Sequence, residues 1–389
     1  MKKEIKERLQ LELIRLRGKN DQYLGYPIAK GFKYSDLAPF LDLSINNLGD
    51  PYCTSSLSID TKTIEVEVIE FFTNLLRAQK DSVWGYVTNG GSEGNLYGLY
   101  LARDRFPKGI VYYSESTHYS VRKNLNLLNM QNIVIRSQEN GELDYDDLEK
   151  CVNTHRDLPA IFFLNIGTTM KEAIDQLEKV KDIIKNLAIK EYYIHADAAL
   201  LGVIAPFLTP RPSFDFKDGI DSISISGHKF IGSPIPCGIV LTKKEYTDRI
   251  SNSISYVSTK DTTITGSRNG LTPVILWYAL KSLGMNGLRD RVLACLELAE
   301  YTEEQLKKIG YNAWRNKNAL TIVFNRPGQE ICDNFQLATE ENIAHVICIP
   351  GVSKERIDKL INELKSSDIE TTCNNMDGGN VVFLDTYWG

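Results

Sequence analysis

The sequence predicts an α/β fold: a mostly parallel central sheet flanked by helices, followed by a small C-terminal α+β domain. Three observations carry this reading. From about residue 80 to 245, short apolar runs alternate with stretches whose apolar residues recur at helical spacing. Strand–helix alternation of this kind builds a parallel sheet covered on both faces. Beyond about residue 285 the texture changes to a separate strand-rich layer. Finally, 389 residues, of which 42% are hydrophobic and 24% charged, suffice for one large domain and a smaller one.

Taken in order, residues 1–60 read as a helical and extended segment, 61–284 as the large domain and 285–389 as the small one. The opening MKKEIKERLQLELIRLRG has Ile5, Leu9, Leu13 and Leu16 on one helical face, which is expected to pack on the body or on a partner subunit. It lacks the uninterrupted apolar run of a signal peptide, and no segment approaches transmembrane length. Strands are expected at VWGYVT (83–88), GIVYY (109–113), NIVIR (132–136), AIFFLN (160–165), YYIHA (192–196), SISIS (222–226) and GIVLT (238–242). Between them, 175–190 is a helix with Leu177, Val180, Ile184 and Leu187 inward. A long helix starts near Pro273 and links the two domains. ALTIVF (319–324), IAHVICI (343–349) and VVFL (381–384) are the strands of the small domain. Its helix, 353–365, has Ser353 as N-cap and Ile357, Leu360, Ile361 and Leu364 as its buried stripe.

A net charge of −5 argues against nucleic acid or an anionic membrane as the main partner. Seven scattered cysteines without a CxxC pair indicate neither a zinc site nor a disulfide framework, and a reducing cytoplasm fits best.

Ligands of open parallel sheets sit at the carboxyl ends of the strands, and four strand ends here are unusually polar. After VWGYVT comes NGGSEGN (89–95), followed by a helix from about Leu96; amides of Gly91, Ser92 and Glu93 with the Ser92 hydroxyl could cradle a phosphate. A plain strand-to-helix turn explains the glycines equally well. SESTHYS (114–120) offers His118, either a structural histidine or a flat ring to stack on a planar cofactor. HADAALLG (195–202) ends a buried strand in Asp197, which needs donors or a cation there. DSISISGHKFIGSPIPCGIVLT (221–242) delivers Ser226, His228 and Lys229, the lysine followed by apolar Phe230 and Ile231. A desolvated lysine loses its proton readily and acts as a nucleophile.

Together and in this order, these features meet the needs of one cofactor, pyridoxal 5′-phosphate (PLP): a phosphate turn, a stacking ring, a carboxylate for the pyridine nitrogen and an amine for the aldehyde. Ser226 and His228 would assist at the phosphate.

The sequence also resembles the group II PLP-dependent amino-acid decarboxylases of fold type I. The specific motifs are WGYVTNGGSEGN, THYSV, NIGTT, HADAAL, SGHKFIGSPIPCG and TGSRNG. The resemblance runs from YPIAKGFKYSDL (26–37) to AWRNKNALTIVF (313–324). SGHKFIGSPIPCG and AWRNKNALTIVF are similar to bacterial histidine decarboxylases, SINNLGDP and FNRPGQEICDNFQLA to plant-type serine decarboxylases.

The resemblance implies Lys229 as the PLP lysine, Asp197 as the pyridinium partner, and His118 as both ring-stacking and substrate-lining. It implies Ser92, Glu93, Ser226 and His228 around the phosphate, Thr168 near the ring, and a homodimer with sites at its interface. The expected reaction is decarboxylation of a small amino acid, histidine first and serine second. Lys229, His118 or Tyr256, on a lid or inter-subunit loop over 256–266, would return the proton to Cα. The chain departs from the family pattern at Leu271, where a histidine is expected. Arg268 is the residue that an aminotransferase, the rival reading, would use to clamp a substrate carboxylate.

Overall fold

The computed structural model of the chain describes residues 2–20, 22–254 and 258–376. Seven strands form the central sheet: β1 (Val83–Thr88), β2 (Ile110–Ser114), β3 (Asn132–Ile135), β4 (Ala160–Asn165), β5 (Tyr192–Asp197), β6 (Ser222–Ser226) and β7 (Gly238–Lys243). Their order is β1-β7-β6-β5-β4-β2-β3. Neighbours from β3 through β6 pair in parallel, and β7 runs antiparallel between β6 and β1. The seven expected strands are all present, and the sheet is mostly parallel.

The helices of this part are α1 (Lys3–Asn20), α2 (Lys62–Leu75), α3 (Gly91–Arg105), α4 (Ser120–Leu128), α5 (Tyr145–Thr154), α6 (Leu177–Asn186), α7 (Lys244–Ile250) and α8 (Leu271–Lys308). They divide between two cores because strand side chains alternate. Phe162 and Leu164 of β4 pack with residues of α2, α5, α6 and α8. Ile161 and Phe163 pack on the opposite face with residues of α3, α4 and α7. In α6 the expected stripe forms: Leu177, Val180 and Ile184 are buried, joined by Ile183, with Leu187 half-buried at the end.

α8 begins two residues before Pro273, which occupies the first turn, where a missing N–H leaves no helical bond unmade. The Asn269 side chain accepts from the N–H groups of Leu271 (2.8 Å) and Thr272 (3.2 Å), so Leu271 starts this helix. Gly284 (φ 61°, ψ −175°) breaks α8 into two arms. Residues through Cys295 join the main core, and Ala299 and Leu306 join the C-terminal one.

A short hairpin, β8 (Asn252–Ile254) and β9 (Thr259–Asp261), precedes α8. The C-terminal layer is an antiparallel sheet of β10 (Thr321–Asn325), β11 (Ala338–Glu340) and β12 (Ile343–Ile347), in the order β10-β12-β11. It is accompanied by α9 (Gln329–Phe335) and α10 (Lys354–Met376). Ser353 Oγ accepts from the Arg356 N–H at 3.3 Å as the expected N-cap, and Ile357, Leu360, Ile361 and Leu364 are buried. β11 was not expected from the sequence, and VVFL (381–384) lies outside the described residues.

α1 forms as expected but buries nothing within the chain. Ile5, Leu9, Leu13 and Leu16 stay 47–58% exposed, and Leu11 and Ile14 are more exposed still.

Candidate active site

The face that α3 turns to the sheet carries Gly91, Gly94, Asn95 and Gly98. A side chain at Gly91 would lie 2.8 Å from Ser226 Oγ, one at Gly94 would collide with Ser224, and one at Gly98 would lie 2.2 Å from Nδ1 of His195. The helix is therefore glycine-faced because it rests directly on β5 and β6. This corrects the expected start near Leu96: the helix begins five residues earlier, and GSEGN (91–95) belongs to it, with Gly90 as its N-cap.

Among the described residues no group accepts from the N–H of Gly91, Ser92 or Glu93. These are the unpaired donors of a helix start, aligned with its positive end. Ser92 is exposed, and its carbonyl accepts from Asn124 Nδ2 at 2.9 Å. The Glu93 carboxylate is engaged elsewhere, by Asn89 N–H (2.9 Å), Asn89 Nδ2 (2.7 Å) and Tyr86 OH (2.9 Å), leaving only its amide for a ligand.

Asp197, the last residue of β5, is 7% exposed. One carboxylate oxygen accepts from Asn95 Nδ2 at 2.7 Å and the other from the Ala199 N–H at 3.1 Å. Each oxygen keeps a lone pair for a further donor.

Lys229 follows β6, held by Phe230 and Ile231, both fully buried, and by its carbonyl accepting from the Ala29 N–H at 3.0 Å. Part of its surface reaches solvent, yet its amine is surrounded closely enough that desolvation lowers its pKa; Asp197 opposes the shift. Among the described residues no hydrogen bond or ion pair holds that amine. Burial likewise lowers His118, with Asp197 pulling it back up and Lys229 pushing it down. That mutual influence brings Lys229, Asp197 and His118 into one electrostatic neighbourhood. His118 Nδ1 lies 2.8 Å from Ser120 Oγ, and its ring lies tilted by 40° against that of Tyr119, centroids 4.4 Å apart, Tyr119 being 78% exposed.

His228 donates from Nδ1 to the Cys237 carbonyl at 2.9 Å, so a neutral ring offers only an acceptor at Nε2. Its proton affinity is lowered by burial first, partly restored by Cys237 and lowered again by Lys229. Ser226 faces the start of α3 through Gly91. Thr168 is buried in the loop after β4, where Oγ1 accepts from the Ala173 N–H at 2.9 Å. Tyr256 lies outside the described residues.

Arg268 is 5% exposed and engaged: it pairs with Glu65, donates to the Gly49 carbonyl at 2.9 and 3.2 Å, and lies over the Tyr86 ring. These bonds use three of its five N–H groups. Two residues at this site were not singled out from sequence, Asn95 and His195. The available signal was period: His195 and Asp197, two apart on β5, share a face.

An open α/β sheet with an unpaired helix start, a carboxylate and a desolvated lysine at its centre defines a class of enzyme. Residues 35–325 match the pyridoxal-dependent decarboxylase conserved domain, and the chain belongs to that family. It is similar to the histidine decarboxylase of Mesorhizobium japonicum, 46% identical over 89% of this chain and 94% of that one. Likewise, it is 47% identical to the histidine decarboxylase of Morganella morganii, over 88% and 91%. Among solved structures, L-methionine decarboxylase from Streptomyces sp. 590 superposes with a TM-score of 0.87 at 26% identity, covering 95% of this chain and 96% of that one. Glutamate decarboxylase of Lactobacillus brevis (TM-score 0.80, 16% identity, 98% and 94% covered) shares the fold.

Proposed function

We propose that this chain is a PLP-dependent decarboxylase converting L-histidine to histamine and CO2, acting as a homodimer in the cytoplasm. The observation that carries the reading is the near-full-length identity of 46–47% to histidine decarboxylases, joined to a desolvated lysine and a buried carboxylate after adjacent strands.

The residues fit PLP. The unpaired N–H groups of Gly91, Ser92 and Glu93, with the Ser226 hydroxyl, suit a phosphate. Its charge would favour protonated His228, the form that can donate. Lys229, its proton affinity lowered by desolvation and its amine unpaired among the described residues, would hold the aldehyde carbon. Asp197 would accept from the pyridine N–H with a free lone pair. His118 would lie on the ring face and line the substrate pocket, with Thr168 beside the ring.

When bound, PLP supplies the electron sink that takes up the charge left on Cα as CO2 departs. The rest is done by the chain. Asp197 keeps the sink electron-poor by holding a proton on the ring nitrogen. Arg268, 5% exposed and charge-paired with Glu65, is poorly placed to clamp the substrate carboxylate, which favours leaving as CO2 over retention. A proton from Lys229, His118 or Tyr256 would then be delivered to Cα, where the pair released by the departing CO2 takes it up in place of the lost carboxylate. Among the described residues no helix is long and apolar enough to cross a membrane. Cys53, Cys151, Cys237, Cys295, Cys332 and Cys348 are free thiols, as a reducing compartment allows. The exposed leucines and isoleucines of α1 are the surface that a second copy would cover.

The test is product analysis after incubating PLP-loaded protein with each common amino acid separately. Histamine from histidine alone supports the proposal. Ethanolamine from serine would replace the substrate and keep the mechanism. No amine from any substrate sinks the decarboxylase reading.

A further inference from the structure

Four buried residues from α3, β5 and β6 form a single hydrogen-bonded line. Ser222 Oγ lies 2.6 Å from His195 Nδ1, His195 Nε2 lies 3.0 Å from Asn95 Oδ1, and Asn95 Nδ2 lies 2.7 Å from Asp197. All four are at most 7% exposed.

The direction of every bond follows from the chemistry of its ends. A carboxylate only accepts, so Asn95 must turn its amide nitrogen to Asp197 and its oxygen to His195. His195 must then donate from Nε2, and its Nδ1 must accept from the Ser222 hydroxyl. Burial holds the imidazole neutral, its pKa lowered to about 3, so this one tautomer persists across the working pH range. Turning the Asn95 amide over would set its oxygen against the carboxylate of Asp197 and an N–H against the N–H of His195. The line therefore has one arrangement.

Its construction is costly as mere packing. Gly98 gives up a side chain in mid-helix, at about 1 kcal/mol relative to alanine, to admit the His195 ring. An imidazole is buried where an apolar side chain opposite an alanine would fill the space without needing partners. What the arrangement supplies is a fixed donor to one oxygen of Asp197, leaving the lone pair that faces away from Asn95.

We propose that His195 is a positioning residue: by locking the Asn95 amide it keeps Asp197 oriented and anionic, and so keeps the cofactor's ring nitrogen protonated. This rests on the PLP reading above. Asn95 and Ser222 are the two links that transmit and anchor the effect. Without His195, the Asn95 amide is free to turn, and Asp197 loses the donor that fixes its orientation.

The test is the 15N chemical shift of PLP labelled at the ring nitrogen, bound to the full chain and to three variants. The parent should give the signal of a protonated ring nitrogen. His195→Leu should move it towards the unprotonated value and weaken PLP binding by roughly tenfold, the low end for loss of an orienting partner. His195→Gln should keep the parent signal, because a glutamine can donate to Asn95 and accept from Ser222 through the same two ends. Ser222→Ala, which leaves the ring in position, should give a smaller move in the same direction and decides the matter if His195→Leu does not fold. An unchanged signal in folded, PLP-bound His195→Leu, or in Ser222→Ala where that variant decides, overturns the relay alone. A parent protein that takes up no labelled PLP overturns the cofactor reading itself.

Discussion

At the carboxyl ends of β5 and β6 the protein buries charge; along α1 it exposes grease. Lys229 is desolvated without an ion-pair partner among the described residues, and Asp197 is 7% exposed with one lone pair on each oxygen uncommitted. Ile5, Leu9, Leu11, Leu13, Ile14 and Leu16 are all at least 47% exposed on a single helix. A self-sufficient monomer would avoid both, since unpaired buried charge and contiguous exposed apolar surface each cost free energy. The two departures differ in what resolves them. The first calls for a ligand with an electrophilic carbon, an N–H and a phosphate. The second calls only for more apolar surface, which another copy of the chain would provide in the proposed homodimer.

The comparison breaks hardest at Lys229. Lys229→Ala should abolish the bound-cofactor absorbance and slow histamine formation by at least about 10³-fold, as loss of a nucleophile does. Asp197→Asn leaves the amine in position, so cofactor uptake should persist while turnover falls about 10²–10³-fold. Steady-state rates and absorbance spectra of the two variants separate these roles. Turnover of Asp197→Asn within about threefold of the parent would remove the aspartate from the mechanism.

At α1 the expected effect is on assembly. Leu9→Glu together with Leu13→Glu removes apolar contact worth about 2 kcal/mol per leucine if that face is covered, and it introduces charge into the contact. Sedimentation velocity should find the parent dimeric and the double variant shifted to monomer at the same concentration. A monomeric parent, or a double variant that sediments with it, would leave α1 unexplained by a second copy.

How far the sequence was legible follows from the same contrast. Strands of the central sheet announce themselves because both faces are buried, giving apolar runs that end abruptly in polar residues such as Asp197. Lys229 was legible because Phe230 and Ile231 follow it. α3 was not: Gly91, Gly94 and Gly98 look like loop until the helix is seen resting on Ser224, Ser226 and His195. β11 was missed because three half-exposed or exposed residues carry no apolar pattern. His195 reads as one more residue of a buried strand, and only its partners, distant in sequence, give it a role. The spacing of α1 was plain in the sequence, but nothing in a chain's own pattern names what its apolar face will meet.

Glu172 sharpens the comparison at the smallest scale, because it is a buried charge that the fold resolves alone. It is 2% exposed in the loop after β4, and it ties that loop to β10 by accepting from the Leu320 N–H at 3.0 Å and from the Thr321 hydroxyl. Desolvation nevertheless pushes its carboxyl up from 4.5 to about 7, with those hydrogen bonds opposing the shift. The folded protein thus holds this proton more tightly than the unfolded chain. Its contribution to stability is complete below about pH 4.5 and is lost as pH rises through about 7. A shift of this size corresponds to at most about 3 kcal/mol. Glu172→Gln keeps an oxygen for the Leu320 N–H and turns its amide towards Thr321, with nothing to ionise. In denaturant titrations the parent should lose about 2–3 kcal/mol between pH 5 and pH 8 relative to the variant, which should be the more stable of the two at pH 8. Parallel pH profiles would mean that Glu172 stays charged in the folded protein, stabilised by Leu320 and Thr321 more strongly than burial opposes it.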